Sequence, residues 1–271
     1  MLCLRFTRGP VVGIQNRFFS SSRVLQKANE DGHLKPAPFN PRHLGVANEV
    51  YIPPSYQNLP SVFSSPLVVT RALIRRMYTF GLNTVQVALF RYQSGIKPKF
   101  LLWKNKAIES YVNVNKGFAS KNIDSVAPTV SIWVEEALRV RARQLPKGTQ
   151  FEWELIKFNE IPKLASTQAL MIPGRPLEMI QLIYKFNTKQ RLIRLDKSTG
   201  KADKVHRDLV DYVAFLCDAS TNDIYLIGSV FESAPEAKLP AAMDTDTKAL
   251  IETMKINGDI YREQPTAKKG T

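Results

Sequence analysis

The spacing of the apolar residues changes at Pro146, and this change limits the fold more than any other feature of the chain. Just before it, Val130, Trp133, Val134, Ala137, Leu138 and Arg141 recur at intervals of three and four, the spacing of one helix face. Just after it, Phe151-Glu152-Trp153-Glu154-Leu155 alternates apolar and acidic, as a half-buried strand does. Further strands are read at Leu164–Ile172, Leu177–Phe186, Arg191–Leu195, Asp208–Cys217 and Asp223–Val230. Turns are read at Pro173-Gly174-Arg175-Pro176, Asn187-Thr188-Lys189, Ser198-Thr199-Gly200 and Asp218–Asn222. Strands that follow one another without intervening helices form an antiparallel sheet. The predicted class is therefore α+β, with N-terminal helices packed on one antiparallel β-sheet. A short C-terminal helix closes it, capped by Asp244 or Asp246, with Leu250, Ile251 and Met254 inward and Gly258 at its end.

Ahead of the sheet, Pro66 suits the first position of a helix with Ser64 or Ser65 as its cap. Gly81 and Asn83 mark a place where that helix can divide in two. Lys97-Pro98 reads as a turn, Trp103–Ser120 as a second helix, and a third starts near Ala127-Pro128 and runs to Gln144. The first helix lies within a stretch, Val50 to Ile108, that has no Asp or Glu and carries Arg71, Arg75, Arg76, Arg91, Lys97, Lys99, Lys104 and Lys106. Its apolar part, Leu67 to Phe90, has to bury one side, while arginines at i, i+4 and i+5 project together from a helix. The expected arrangement is an apolar side docked on the domain and a cationic flank left outside, fit for a polyanion. The candidate contacts are Arg42, Arg71, Arg75, Arg76, Lys97, Lys99, Lys104 and Lys106. Phe80 and Phe90 are expected in the core; Tyr92 and Trp103, beside lysines, suit either the core or base stacking. Arg139, Arg141 and Arg143 suit either the dipole at a helix C-terminus or an anion.

The net charge of +14 is distributed in blocks: +5 over residues 1–29, −1 over 30–49, +8 over 50–108 and +2 beyond. Such blocks favour nucleic acid or a membrane surface. Residues 1–22, basic and acid-free and ending in Ser20-Ser21-Ser22, have the composition of a mitochondrial transit peptide, with cleavage placed after Phe19. Residues 23–65 are rich in Pro, Asn and Ser and read as an extended connector that wraps a domain or reaches a partner. A single domain is expected over 66–261, and a flexible basic tail over 262–271. Prolines break the uncharged run Val50–Thr70, and Met77–Phe90 is shorter than the roughly 20 residues that span a bilayer. Membrane contact is therefore expected to be peripheral.

Catalytic patterns are missing. The chain has no Gly-x-Ser-x-Gly elbow and no Gly-rich phosphate loop, and its two Cys and three His are too scattered for a zinc site. His206 lies near Asp203, Asp208 and Asp211 with no partner nucleophile, and reads as a residue of a solvated charged stretch. No cofactor or metal is expected.

Several long segments carry a resemblance: Phe39–Val46, Ala72–Arg76, Tyr78–Asn83, Phe90–Pro98, Leu102–Lys106, Val210–Tyr212, Phe215–Ala219 and Met254–Tyr261. They closely resemble the fungal mitochondrial inner-membrane ribosome receptors of the Mba type, over nearly everything after residue 38. The resemblance implies an α+β roll, in which helices pack on a curved antiparallel sheet. It also implies a non-enzymatic receptor, peripheral on the matrix side, that holds the ribosome's tunnel exit at the inner membrane and promotes co-translational insertion. The implied partners are large-subunit ribosomal RNA and proteins near the exit, an Oxa-type insertase, anionic inner-membrane lipids and nascent membrane proteins. Three rival readings stay open: an integral protein of the mitoribosomal large subunit, a small-molecule enzyme, and an import-motor anchor related only by fold. The predicted strands place mainly Leu, Ile, Phe, Val and Trp inward, which argues against the enzyme.

Overall fold

The structure is a computed structural model that describes residues 39–146, 148–172, 175–196, 201–240 and 246–264. The leader with its cleavage point, residues 23–38, the Ser198-Thr199-Gly200 turn, Pro173-Gly174, the Asp244 cap and the tail beyond 264 lie outside the described residues.

Helix α1 (Pro66–Ser94) has Pro66 at its first position and Ser65 at its N-cap, although the Ser65 hydroxyl makes no capping bond. It runs unbroken for 29 residues, so the division expected at Gly81 and Asn83 does not occur. Gly95, left-handed at φ +68°, ends it by donating its amide to the Arg91 carbonyl. Helix α2 (Phe100–Ala119) follows at once. The third helix starts later than the sequence suggests. Residues Ala127–Thr129 form a separate turn, and Val130 makes a parallel bridge to Leu226 of the sheet. Helix α3 (Ile132–Gln144) then begins, with the Ser131 hydroxyl accepting from the Val134 amide.

Four strands replace the six expected, the first three much longer: β1 (Thr149–Leu170), β2 (Met179–Asp196), β3 (Ala202–Asp218) and β4 (Ile224–Val230). They form one antiparallel sheet in the order β1-β2-β3-β4. Asn187-Thr188-Lys189 is not a turn. These residues pair with Val210, Leu209 and Asp208, because a ladder of distant partners outweighs a local turn preference. Residues 156–163, left as a gap between two strands, continue β1 through a series of register shifts. Bulges of this kind bend a strand without ending it.

The main core lies between α2, α3 and one sheet face. Trp103, Ala107, Tyr111 and Val114 meet Val134, Leu138, Ile180, Tyr184, Phe186, Phe215 and Leu226 there. Trp103 belongs to this core, so it is not a stacking platform for bases. On β2, Gln181 and Ile183 point to the opposite face and are buried as well. Outside the main cluster, Val46, Tyr51 and Ile52 of the preceding arm and Val69 and Ala72 of α1 supply buried apolar surface. The arm is stitched in place: Ile52 N donates to Ser233 Oγ at 3.1 Å, and Ser233 N returns a bond to the Ile52 carbonyl at 2.9 Å. Helix α4 (Thr247–Gly258) closes the chain with Asp246 at its N-cap, though that carboxylate makes no capping bond. Ile251, expected inward, is exposed; Asn257 and Gly258 are the buried residues of this helix.

Candidate polyanion-binding surface

The orientation of α1 differs from that expected: Val69, Ala72 and Phe90 are buried, but most of its larger apolar side chains face outward. Several of its polar side chains bond to the domain. Arg75 Nη1 donates to the Pro235 carbonyl at 3.2 Å. Arg76 donates to the Pro54 carbonyl, and its guanidinium lies over the Tyr56 ring, 4.1 Å from the centroid. Asn83 Nδ2 donates to the Ala165 carbonyl, and its Oδ1 accepts from the Thr167 amide at 3.1 Å. Gln86 Oε1 accepts from the Ala169 amide at 3.2 Å. Asn83 and Gln86 therefore occupy main-chain groups that edge strand β1 would otherwise present unpaired. Large apolar residues of α1 face outward, among them Leu67, Ile74, Met77, Tyr78, Phe80 and Val85. Phe80, expected in the core, is 75% exposed.

The eight candidate cations do not form one cluster. Arg42 is committed inside the fold, with Nε bonded to the Val130 carbonyl at 3.0 Å and Nη2 to Glu135 Oε2 at 2.5 Å. Lys106 Nζ donates to the Asn222 carbonyl at 2.8 Å. Arg71 is exposed near the start of α1; Lys97 and Lys99 are exposed beyond its end, and Lys104 is half-buried one turn into α2. Among the described residues the side chains of these four make no hydrogen bond or ion pair. About 30 Å of helix separates Arg71 from Arg91, at 1.5 Å per residue. The candidates thus divide between the two ends of one long helix.

Two of the three arginines of α3 are also accounted for. Arg141 binds Asp259 through Nε (2.6 Å) and Nη2 (2.7 Å), and Arg139 bridges Asp124 and Glu135. Arg143 alone of the three is exposed and makes no such bond among the described residues. Bidentate pairing holds α3 to the end of α4, a use that reading one helix at a time does not reveal.

A polar network inside the sheet was missed altogether. Tyr111 donates to Asp211 Oδ2 at 2.6 Å. Gln190 donates to the Tyr111 hydroxyl at 2.7 Å and to Thr188 Oγ1 at 2.8 Å, and accepts from Trp153 Nε1 at 2.8 Å. The expected lining of Leu, Ile, Phe, Val and Trp is therefore incomplete. Beside the network lies a cavity of about 320 Å³, walled by Phe118, Phe151, Trp153, Leu192 and Tyr261. His206 is outside this network, exposed on β3 opposite Arg191. No group of three or more metal-ligating side chains occurs among the described residues. Burial raises the Asp211 carboxyl above its usual range, partly offset by the Tyr111 bond; burial, then Asp211, raises the Tyr111 hydroxyl.

A raised native pKa means that the unfolded chain gives up the Asp211 proton first. This contribution to stability is therefore present in acid and lost as pH rises from about 4 toward the native value. Asp211→Asn keeps an acceptor for Tyr111 and removes the ionisation. Its melting temperature relative to wild type is expected to improve as pH rises above about 4, until the native carboxyl has ionised as well. A difference that stays constant over this range would show that Asp211 titrates normally.

The family described as MBA1-like protein matches residues 30–266. The chain belongs to that family. It is 59% identical over 257 residues to the inner membrane mitoribosome receptor MBA1, mitochondrial, of Saccharomyces cerevisiae, a match covering 93% of this chain and 92% of the yeast protein. In this chain part of the charge of the acid-free segment braces the fold, and several large apolar side chains of α1 are turned outward. Among the described residues no helix is long and apolar enough to cross a membrane.

Proposed function

We propose that this chain is a non-enzymatic receptor that holds the mitochondrial ribosome at the inner membrane. The observation that carries this reading is the near full-length likeness to the yeast receptor, with more than nine-tenths of each chain aligned. The receptor would sit peripherally on the matrix side. Arg71, Lys97, Lys99 and Lys104 would meet ribosomal RNA phosphates or anionic headgroups. Holding the tunnel exit there would deliver nascent membrane proteins to an Oxa-type insertase. The two-ended placement of the uncommitted cations supports a tether, since opposite ends of a long helix can serve different surfaces.

The test is cosedimentation of the protein with purified mitoribosomal large subunits over a salt series. Binding is expected to fall steeply with salt as phosphate contacts are screened. Replacing Lys97, Lys99 and Lys104 together by Glu is expected to weaken binding at low salt and to flatten the dependence by about one unit of log–log slope per lost phosphate contact. Binding that resists both salt and the triple substitution would instead mark an integral subunit of the ribosome.

A further inference from the structure

Among the described residues nothing covers the outward face of α1, and its size calls for a partner. Leu67, Ile74, Met77, Tyr78, Val85 and Tyr92 recur at helical spacing on the solvent side. Ile74 is 61% exposed, Met77 76% and Tyr92 89%. Exposed Leu73 and Leu82 widen the stripe to about half of the helix circumference at 100° per residue. A partner helix in a coiled coil would cover only a narrow seam of such an arc, whereas a planar apolar phase covers all of it. The charge around the stripe narrows the choice further. The helix contains no acid, and Arg71, Arg91, Lys97 and Lys99 are exposed along and just beyond it. Tyr78 and Tyr92 project with Leu67 and Ile74 from the middle of the stripe.

We infer that α1 lies in the surface of an anionic bilayer, apolar stripe down, and that this helix is the protein's membrane-docking element. Tilting is unnecessary: at about 43 Å for its 29 residues, the helix rests along the plane and its cations reach the phosphates on either side. The polar bonds of Arg75, Arg76, Asn83 and Gln86 hold the rest of the domain on the aqueous side. The inference rests on the receptor reading for its location and deepens it, because it assigns the membrane contact to apolar side chains of one helix.

The experiment is flotation of the full chain with vesicles of phosphatidylcholine alone or with 30% phosphatidylglycerol (roughly the anionic content that gives a strong surface potential), beside cosedimentation with large subunits in the absence of lipid. The variant is Ile74→Glu, Met77→Glu, Val85→Glu, with circular dichroism to show that it folds. Wild type is expected to float with the anionic vesicles. The variant is expected to lose at least about tenfold in partitioning, while keeping its ribosome binding. A second variant, Ile74→Trp, is expected to show a blue-shifted emission component on anionic vesicles. If the charged variant floats as wild type does, another segment such as residues 1–38 holds the membrane and the inference fails. If it floats normally and loses ribosome binding, the stripe is a ribosome contact and the inference fails. Flotation without any ribosome binding by wild type would overturn the receptor reading and leave the inference standing.

Discussion

Gly228→Ala is expected to destabilise the protein by about 3 kcal/mol or more, the range reserved for a clash that the backbone cannot relieve. Gly228 sits in β4 at φ +152°, and a Cβ there would lie 2.4 Å from the carbonyl oxygen of Asn257 and 2.9 Å from its carbonyl carbon. Both atoms are main chain at the end of α4. That end is itself fixed, because Asn257 Nδ2 donates to the Val46 carbonyl at 2.8 Å and a Cβ on Gly258 would meet Trp133 at 2.9 Å. The arm, α3, α4 and β4 therefore close on one point, and a methyl group at Gly228 pushes α4 off the sheet. Gly81→Ala is the matched control. Nothing lies within 4 Å of its Cβ position in the middle of α1, so the same change is expected to stabilise by about 0.5–1 kcal/mol. Thermal denaturation reads both, and hydrogen exchange in α4 should show early opening for Gly228→Ala alone. Equal melting temperatures for the two variants would sink the account of this junction.

Phe186→Ala is expected to cost about 3–5 kcal/mol, as large aromatic-to-alanine changes in a filled core do. Phe186 is fully buried, and its ring stacks on Tyr111 with centroids 4.5 Å apart and planes 5° from parallel. The rings of Tyr184 and Phe215 stand at 6.5 Å and 6.3 Å. Removing this ring opens a cavity and also frees Tyr111, whose hydroxyl ties Asp211 to Gln190. Urea denaturation should show a lower midpoint with an unchanged slope, meaning lost stability rather than a changed unfolded state. Phe186→Leu, which keeps most of the volume, should lose clearly less. A cost below about 1 kcal/mol for the alanine would mean that the sheet collapses to fill the gap.

Burial also governs the one thiol among the described residues. Cys217 is completely buried, and burial raises its thiol well above the usual range, so it is an inert core residue.

Where a feature depended on neighbours in the chain, it was legible in the residues. Pro66 began α1, the three-and-four spacing of Val134 and Leu138 gave the core face of α3, and alternation at Phe151-Glu152-Trp153 gave β1. The switch between those two spacings was enough to read helices followed by an antiparallel sheet, because each period is a property of the local backbone. Local signals failed where a distant partner outweighed them. Asn187-Thr188-Lys189 has the composition of a turn, yet Val210, Leu209 and Asp208 complete its hydrogen-bond ladder. Asn83 has the composition of a break, yet Ala165 and Thr167 need its amide.

The facing of α1 shows the division most clearly. Its sequence contains an apolar stripe and a mixed one, and burying the more apolar stripe is the ordinary outcome. The side turned inward joins buried Val69, Ala72 and Phe90 to Arg75, Arg76, Asn83 and Gln86, because the Pro54, Ala165 and Pro235 carbonyls and the Thr167 and Ala169 amides offer these polar groups hydrogen bonds. Those partners lie between 22 and 160 residues away in the chain. Composition therefore showed that the segment from 50 to 108 is basic, apolar and acid-free. The packing of remote main-chain groups decided which of its arginines brace the fold and which side of the helix is left for a partner.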